Sequence, residues 1–256
     1  MSLFSQLTTL IKKDKGVALA VMVRGPVDFF GAKALIPADS ASLQPQGPLL
    51  EIGLVQEIIA DAQALILAGR SATKTYLFQG TEVEIFYDIH RPAPRLIIVG
   101  AVHIASDLIH FAKPLGLRTY LVDPRTAFAT SERFPHVDEM YPAWPDEALP
   151  EIGLTPETSV VVVTHDPKLD DPALKVALPS PAQYVGALGS PKTHAKRVER
   201  LLAEGVSPAD LDRLHAPIGL NIGGRTPAEI ALSIMAEIVA VRNEMPLGQP
   251  TTLYKG

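Results

Sequence analysis

The sequence predicts an α/β protein: a Rossmann-like parallel-sheet domain preceded by a smaller α+β domain. Three observations carry this expectation. The stretch 95–123, RLIIVGAVHIASDLIHFAKPLGLRTYLVD, reads as strand, glycine turn, helix, strand and terminal acid. Strand-like and helix-like segments then alternate to the end of the chain. Ahead of that stretch, His90-Arg91-Pro92-Ala93-Pro94 places two prolines within three residues. That disfavours both helix and central strand and marks a linker. The expected boundaries are 1–90 for the small domain, 91–94 for the linker and 95–256 for the parallel-sheet domain.

In the small domain, residues 2–13 have helical spacing and 16–23 form an apolar strand. Residues 29–36 lead into a second strand through a glycine-containing turn, as in a hairpin. Residues 37–48 read as loop. Between 51 and 68 the apolar positions Ile52, Val55, Ile58, Ile59, Ala62, Leu65 and Ile66 fall on one helical face. Residues 73–78 and 82–89 are two further strands, turned at Gln79-Gly80.

In the second domain, Leu96-Ile97-Ile98-Val99 is a run suited to a strand buried on both faces. Gly100 breaks it, and Ile104, Ala105, Leu108, Ile109 and Ala112 give a helix ended by Pro114 and Gly116. Residues 118–122 form the next strand. Asp123 follows Gly100 by 23 residues, close to the place of a ribose-binding acid in a dinucleotide fold. The glycine fingerprint falls on Gly100-Ala101-Val102-His103-Ile104-Ala105. Its second glycine is Val102, whose β-branched side chain crowds the path of a pyrophosphate. A plain strand end turned by Pro124 is the other reading of Asp123.

Later elements follow in order. Residues 124–135 are loop, 139–141 a short strand, and the proline-rich 142–156 irregular surface. Residues 159–164 are an apolar strand, 171–178 a helix, and 184–186 a strand. Helices are expected at 190–204 and 207–214, a last strand at 218–222, and a closing helix at 226–243.

Ligands of an open parallel sheet bind beyond the carboxyl ends of its strands, where strand order reverses. Four such ends carry polar or glycine residues here: Gly100, Ala101 and His103; Asp123 and Arg125; Thr164, His165 and Asp166; Gly186, Gly189 and Ser190. A strand order of 3-2-1-4-5 brings His103, His165 and Asp166 to one crevice. Otherwise His103 is a solvent-facing helix start, and Asp166 caps the segment after it.

Helix starts sharpen the choice. Ser207-Pro208-Ala209-Asp210 and Thr226-Pro227-Ala228-Glu229 pair a capping hydroxyl with an acid, as the helix dipole favours. Ser190-Pro191-Lys192 does the opposite, with Lys196 and Arg197 following. Cations at that end suit an anion held by free N–H groups, Ser190 and Lys192. A solvated basic face is the alternative. Arg225, after Gly223-Gly224, reaches either a second phosphate or a surface acid.

Composition bounds the function. Hydrophobic residues make up 47% and charged residues 20%, ordinary for a chain with a packed core. A net charge of −5 gives no reason to expect a nucleic-acid surface. The absence of cysteine removes disulfides, thiolate metal sites and a cysteine nucleophile. No run approaches the roughly 20 apolar residues that span a bilayer. The amphipathic start, MSLFSQLTTLIKKDKG, does not read as a signal peptide, so no membrane and a cytoplasmic location are expected.

These blocks resemble the XdhC/CoxI family, accessory proteins of molybdenum hydroxylases such as xanthine dehydrogenase. The segments that carry the resemblance are IIVGAVHIA, VDPRTAFATSERFP, VVVTHDPKLD, YVGALGSPKTHAKRVERL and HAPIGLNIGGRTPAEIALSIMAEIVA. More weakly, Gly31-Ala32-Lys33 and 47–51 resemble the family's glycine-rich stretches. The resemblance implies a maturation chaperone, more than an enzyme, that binds molybdenum cofactor through its pterin phosphate and delivers it to a molybdenum hydroxylase apoenzyme. A homodimer is compatible with it. Family members often carry a cysteine just before the glutamate matching Glu51. Here the stretch is Gly47-Pro48-Leu49-Leu50-Glu51, which removes the soft ligand suited to molybdenum. Two other readings stand beside this one: an NAD(P)-dependent oxidoreductase, and a cofactor-free regulatory partner of a molybdoenzyme.

Overall fold

The computed structural model describes residues 2–38 and 43–245; residues 39–42 of the expected loop lie outside them. The chain divides between Pro92 and Ala93 into two compact units.

The first unit is a four-stranded antiparallel sheet with helices. α1 (Leu3–Lys12) precedes β1 (Val17–Arg24) and β2 (Lys33–Pro37), and α2 (Val55–Ala68) precedes β3 (Ala72–Phe78) and β4 (Thr81–His90). The order is β2-β1-β4-β3, every pair antiparallel. Ala18, Ala20 and Met22 alternate along β1 into a core closed by Ile58, Ala62 and Leu65 of α2, as period-2 and period-3.6 burial require. The glycine-rich stretch packs against this sheet. Gly47 has φ +128°, and a Cβ there would sit 2.3 Å from the Lys33 carbonyl, so only glycine fits. Glu51, in the 3₁₀ turn Pro48–Ile52, is exposed.

The second unit is a six-stranded, all-parallel sheet. Its elements are β5 (Arg95–Val99), α3 (His103–Ala112), β6 (Arg118–Val122), β7 (Glu139–Tyr141), α4 (Pro145–Ile152), β8 (Thr158–Val162), α5 (Pro167–Ala177), β9 (Tyr184–Ala187), α6 (Pro191–Ala203), α7 (Pro208–Leu211), β10 (Leu214–His215) and α8 (Pro227–Arg242). The order β10-β9-β8-β5-β6-β7 is 6-5-4-1-2-3 within the unit, the arrangement expected of a Rossmann-like sheet. Alternate residues feed two cores. Leu96, Ile98 and Leu121 meet α3 and α8, whereas Ile97, Val99 and Val122 meet α4 and α5. Burial on both faces is why these strands read as continuous apolar runs.

Four expectations are corrected. Residues 142–156 are not all irregular: Trp144 is the N-cap of α4, with Pro145 at the first helical position, where no N–H is needed. The helix expected at 207–214 stops at Leu211, and Leu214–His215 instead pairs with β9. Residues 218–222 are not a strand. The Gly219 N–H donates to the Glu237 carboxylate of α8 at 2.8 Å, and the Leu220 N–H to the Ser233 carbonyl at 3.2 Å. In addition, the helix expected from 171 begins earlier. Asp166 caps α5 and accepts from the Lys168 N–H at 3.0 Å, with Pro167 at the first position.

Candidate functional site

β5 and β8 lie side by side, and α3 and α5 leave them for opposite faces. Their carboxyl ends therefore form the switch point of the sheet. Gly100 turns the chain there with φ +119°, and a Cβ would sit 2.5 Å from Thr164 Cγ2. The β5 and β8 loops thus touch through Gly100 and Thr164, as the predicted strand order requires.

Beyond Gly100 the loop turns towards β6. The Ala101 N–H donates to Asp123 Oδ2 at 2.7 Å, and Asp123 is fully buried. Arg125 donates to the same carboxylate three times: its backbone N–H and Nε reach Oδ1 at 2.9 Å each, and Nη2 reaches Oδ2 at 2.7 Å. Burial pushes the Asp123 carboxyl up, but the Arg125 and Ala101 hydrogen bonds outweigh it and hold it below the ordinary carboxylate range. All four bonds come from the chain itself. Arg125 lies 5.0 Å over the ring of Phe128, which is half exposed. His103 opens α3 exposed to solvent, and no side chain caps that helix.

The β8 end is wired into α5. Thr164 Oγ1 accepts from the Asp166 N–H at 3.0 Å and donates to Asp170. His165 between them is exposed, with φ +67°, the left-handed region that a residue with a Cβ rarely adopts. Asp170, itself buried, also accepts from Arg197 Nη2 at 3.0 Å, and Nη2 reaches the Leu188 carbonyl at 2.9 Å. Burial pushes the Asp170 carboxyl up, against the pull of Thr164 and Arg197.

Between α5 and α6 lies a cleft of about 270 Å³ bordered by His165, Pro167 and Asp170 on one side and Lys192, Thr193, Lys196, Arg197 and Arg200 on the other. Ser190 caps α6, its Oγ accepting from the Thr193 N–H at 3.2 Å. Arg200 is held on the other side by Asp171, at 2.6 and 3.0 Å. Of the sequence-predicted residues, His165 and Lys192 share this cleft, while Asp123, Arg125 and Ala101 form a separate closed cluster. Gly186 opens onto no ligand path: a Cβ there would meet Ile218 at 2.5 Å. Arg225 stands at the start of α8, its N–H bound by Glu229 at 2.8 Å, and does not border the cleft. Sequence reasoning alone misses Asp170, Thr193 and Arg200. Asp170 and Arg197 are 27 positions apart, and no local spacing joins them.

A family model described as the XdhC Rossmann domain matches residues 96–238. The chain belongs to the XdhC family. The Escherichia coli K12 protein YqeB, named as uncharacterized, is 28% identical over a 259-residue alignment covering 97% of this chain and 48% of that protein. A protein of Bacillus subtilis 168, named as a probable xanthine dehydrogenase component, is 34% identical over 154 residues, 60% of this chain and 44% of that protein. The E. coli K12 protein named molybdenum cofactor insertion chaperone PaoD is 26% identical over 181 residues, 71% of this chain and 49% of that protein. The chain spans about half the length of the curated relatives it matches. A solved Bacillus halodurans structure described as a xanthine dehydrogenase aligns over 98% of both chains with a TM-score of 0.55 and 21% identity, a likeness of fold.

The match of the XdhC model begins in β5 and ends in α8, so it contains both the Asp123 cluster and the α5–α6 cleft. Among the described residues, no helix is long and apolar enough to cross a membrane, and no cluster of acids and histidines is arranged to hold a metal ion.

Proposed function

We propose that this chain is an accessory protein that binds molybdenum cofactor as cargo and assists its maturation and insertion into a molybdenum hydroxylase of the xanthine dehydrogenase type. Membership of the XdhC family and the relative named as an insertion chaperone support the direction of this reading. The observation that carries it against the oxidoreductase alternative is the closure of Asp123. In a dinucleotide enzyme that carboxylate faces a ribose, and the loop amides face a pyrophosphate. Here Asp123 takes the Ala101 amide and the Arg125 guanidinium instead.

The donor set fits a phosphate-bearing pterin better than a bare metal. The cleft beside α6 carries Lys192, Lys196, Arg197 and Arg200 against the single acid Asp170, an excess of positive charge that suits a phosphate. The chain has no thiolate to ligate molybdenum. Its residues would therefore grip the cargo by its phosphate and leave the metal end to the recipient apoenzyme. That missing thiolate also favours a second reading, a regulatory partner that has lost the cofactor.

The test is native mass spectrometry of protein purified from a cofactor-producing host, followed by transfer to cofactor-free hydroxylase. A co-purified pterin and restored hydroxylase activity are expected. Micromolar binding of NAD or NADP with no pterin would overturn the proposal, and stable association with the hydroxylase without cofactor would favour the second reading.

A further inference from the structure

We propose that the cleft between α5 and α6 is a binding site for a dianionic phosphate monoester, with Arg197 as its floor and Lys192 and Lys196 as its walls. The assignment of that phosphate to the cargo rests on the function proposed above; the site itself does not.

Arg197 is the first observation. Its side chain is 1% exposed, and only Nη2 is bonded, to Asp170 and the Leu188 carbonyl. Nε and Nη1 are buried with no partner. A guanidinium carries five donors, and leaving buried ones unmade costs free energy for each. Nη1 lies beside the Gly189 backbone, 3.5 Å from where a Cβ on that residue would sit. Unmade bonds on a buried cation point to an acceptor that arrives with a ligand.

The second observation is the surrounding charge. α5, α7 and α8 each carry an acid in the first turn, whereas α6 carries none and has Lys192 there instead. A cation at a helix start opposes the dipole. Lys196 and Arg200 follow on the same side, with His165 across the cleft. The acids that face them are matched already: Asp171 holds Arg200, and Asp170 takes one Arg197 nitrogen and the Thr164 hydroxyl. A phosphate supplies what this arrangement lacks. It has two charges, and its oxygens match both the guanidinium fork and ammonium donors.

The probe is inorganic phosphate, read by melting curves against chloride at matched ionic strength. Phosphate is expected to raise the melting temperature of the wild-type chain. Lys192→Glu should weaken phosphate binding about tenfold or more, while melting without phosphate at the wild-type temperature or slightly above it. Lys192→Ala should weaken it less, and Arg225→Glu, away from the cleft, should leave it intact. Equal stabilisation of wild type and Lys192→Glu, or none in the wild type, overturns the site. So does a Lys192→Glu chain clearly destabilised without phosphate, if Lys192→Ala binds phosphate normally. The two proposals fail separately. A co-purified pterin in a chain indifferent to phosphate leaves the accessory function and removes this site. Phosphate bound at Lys192 with neither pterin nor cofactor transfer does the reverse.

Discussion

Arg125 closes on Asp123 through two parallel N–H···O bonds, Nε to Oδ1 at 2.9 Å and Nη2 to Oδ2 at 2.7 Å. The acid sits where a dinucleotide fold presents its ribose ligand, and the chain answers it internally. Because the folded carboxyl is held below its unfolded range, the bonds stabilise fully above the unfolded value, about 3.9, and that stability is lost as pH falls towards the folded one. Asp123→Asn should cost about 2 kcal/mol at neutral pH. Melting curves of both chains should converge below about pH 4; a gap that stays constant through that range would contradict the argument.

Nicotinamide dinucleotides should bind weakly or not at all. Val102 stands where the glycine fingerprint has its second glycine, and the Asp123 carboxylate is held by Ala101 and Arg125. Titration calorimetry with NAD and NADP checks this. Val102→Gly should improve binding, and adding Arg125→Ala should improve it further, since it frees the carboxylate. No gain in either variant would mean that the obstruction lies elsewhere.

Gly100 admits no side chain. Its φ is +119°, and a methyl group added there would sit only 2.5 Å from Thr164 Cγ2, so Gly100→Ala should cost about 1–3 kcal/mol in denaturant unfolding. Thr164→Ser removes the Thr164 methyl and keeps the hydroxyl to Asp170. It should recover part of the loss in the Gly100→Ala background, and additive losses would show that contact with Thr164 is not the cause.

The Asp170–Arg197 pair should behave as a buried unit, with side chains 3% and 1% exposed. Removing one partner leaves the other charge buried, so Arg197→Met should cost about 3–5 kcal/mol. Arg197→Met with Asp170→Asn should cost less than the sum of the single changes. A double-mutant cycle with no coupling would contradict the geometry.

Sheet topology is readable because β5 and β8 are apolar runs with both faces covered, and their order follows from alternation with helices. The departures have local causes. Pro145 and Pro150 make α4 look irregular, although a proline at the first helical position costs a helix nothing. Asp166 reads as a site residue from its place after an apolar strand, and in the structure its carboxylate also caps α5. The 218–222 segment looks like a strand because Ile218 is apolar, yet that side chain fills the space over Gly186. In the cleft, Lys192 is legible because its contrast with Asp210 and Glu229 is local. Asp170 is not, because its meeting with Arg197 depends on how α5 and α6 lie against the sheet.

The parallel sheet ends on one side in the two residues of β10 and on the other in the three of β7. Edges that short offer few open backbone groups for an incoming strand to zip against. Recognition by strand addition needs a longer template. A protein that recognises this unit would therefore meet side chains on its helices and loops rather than an open strand edge.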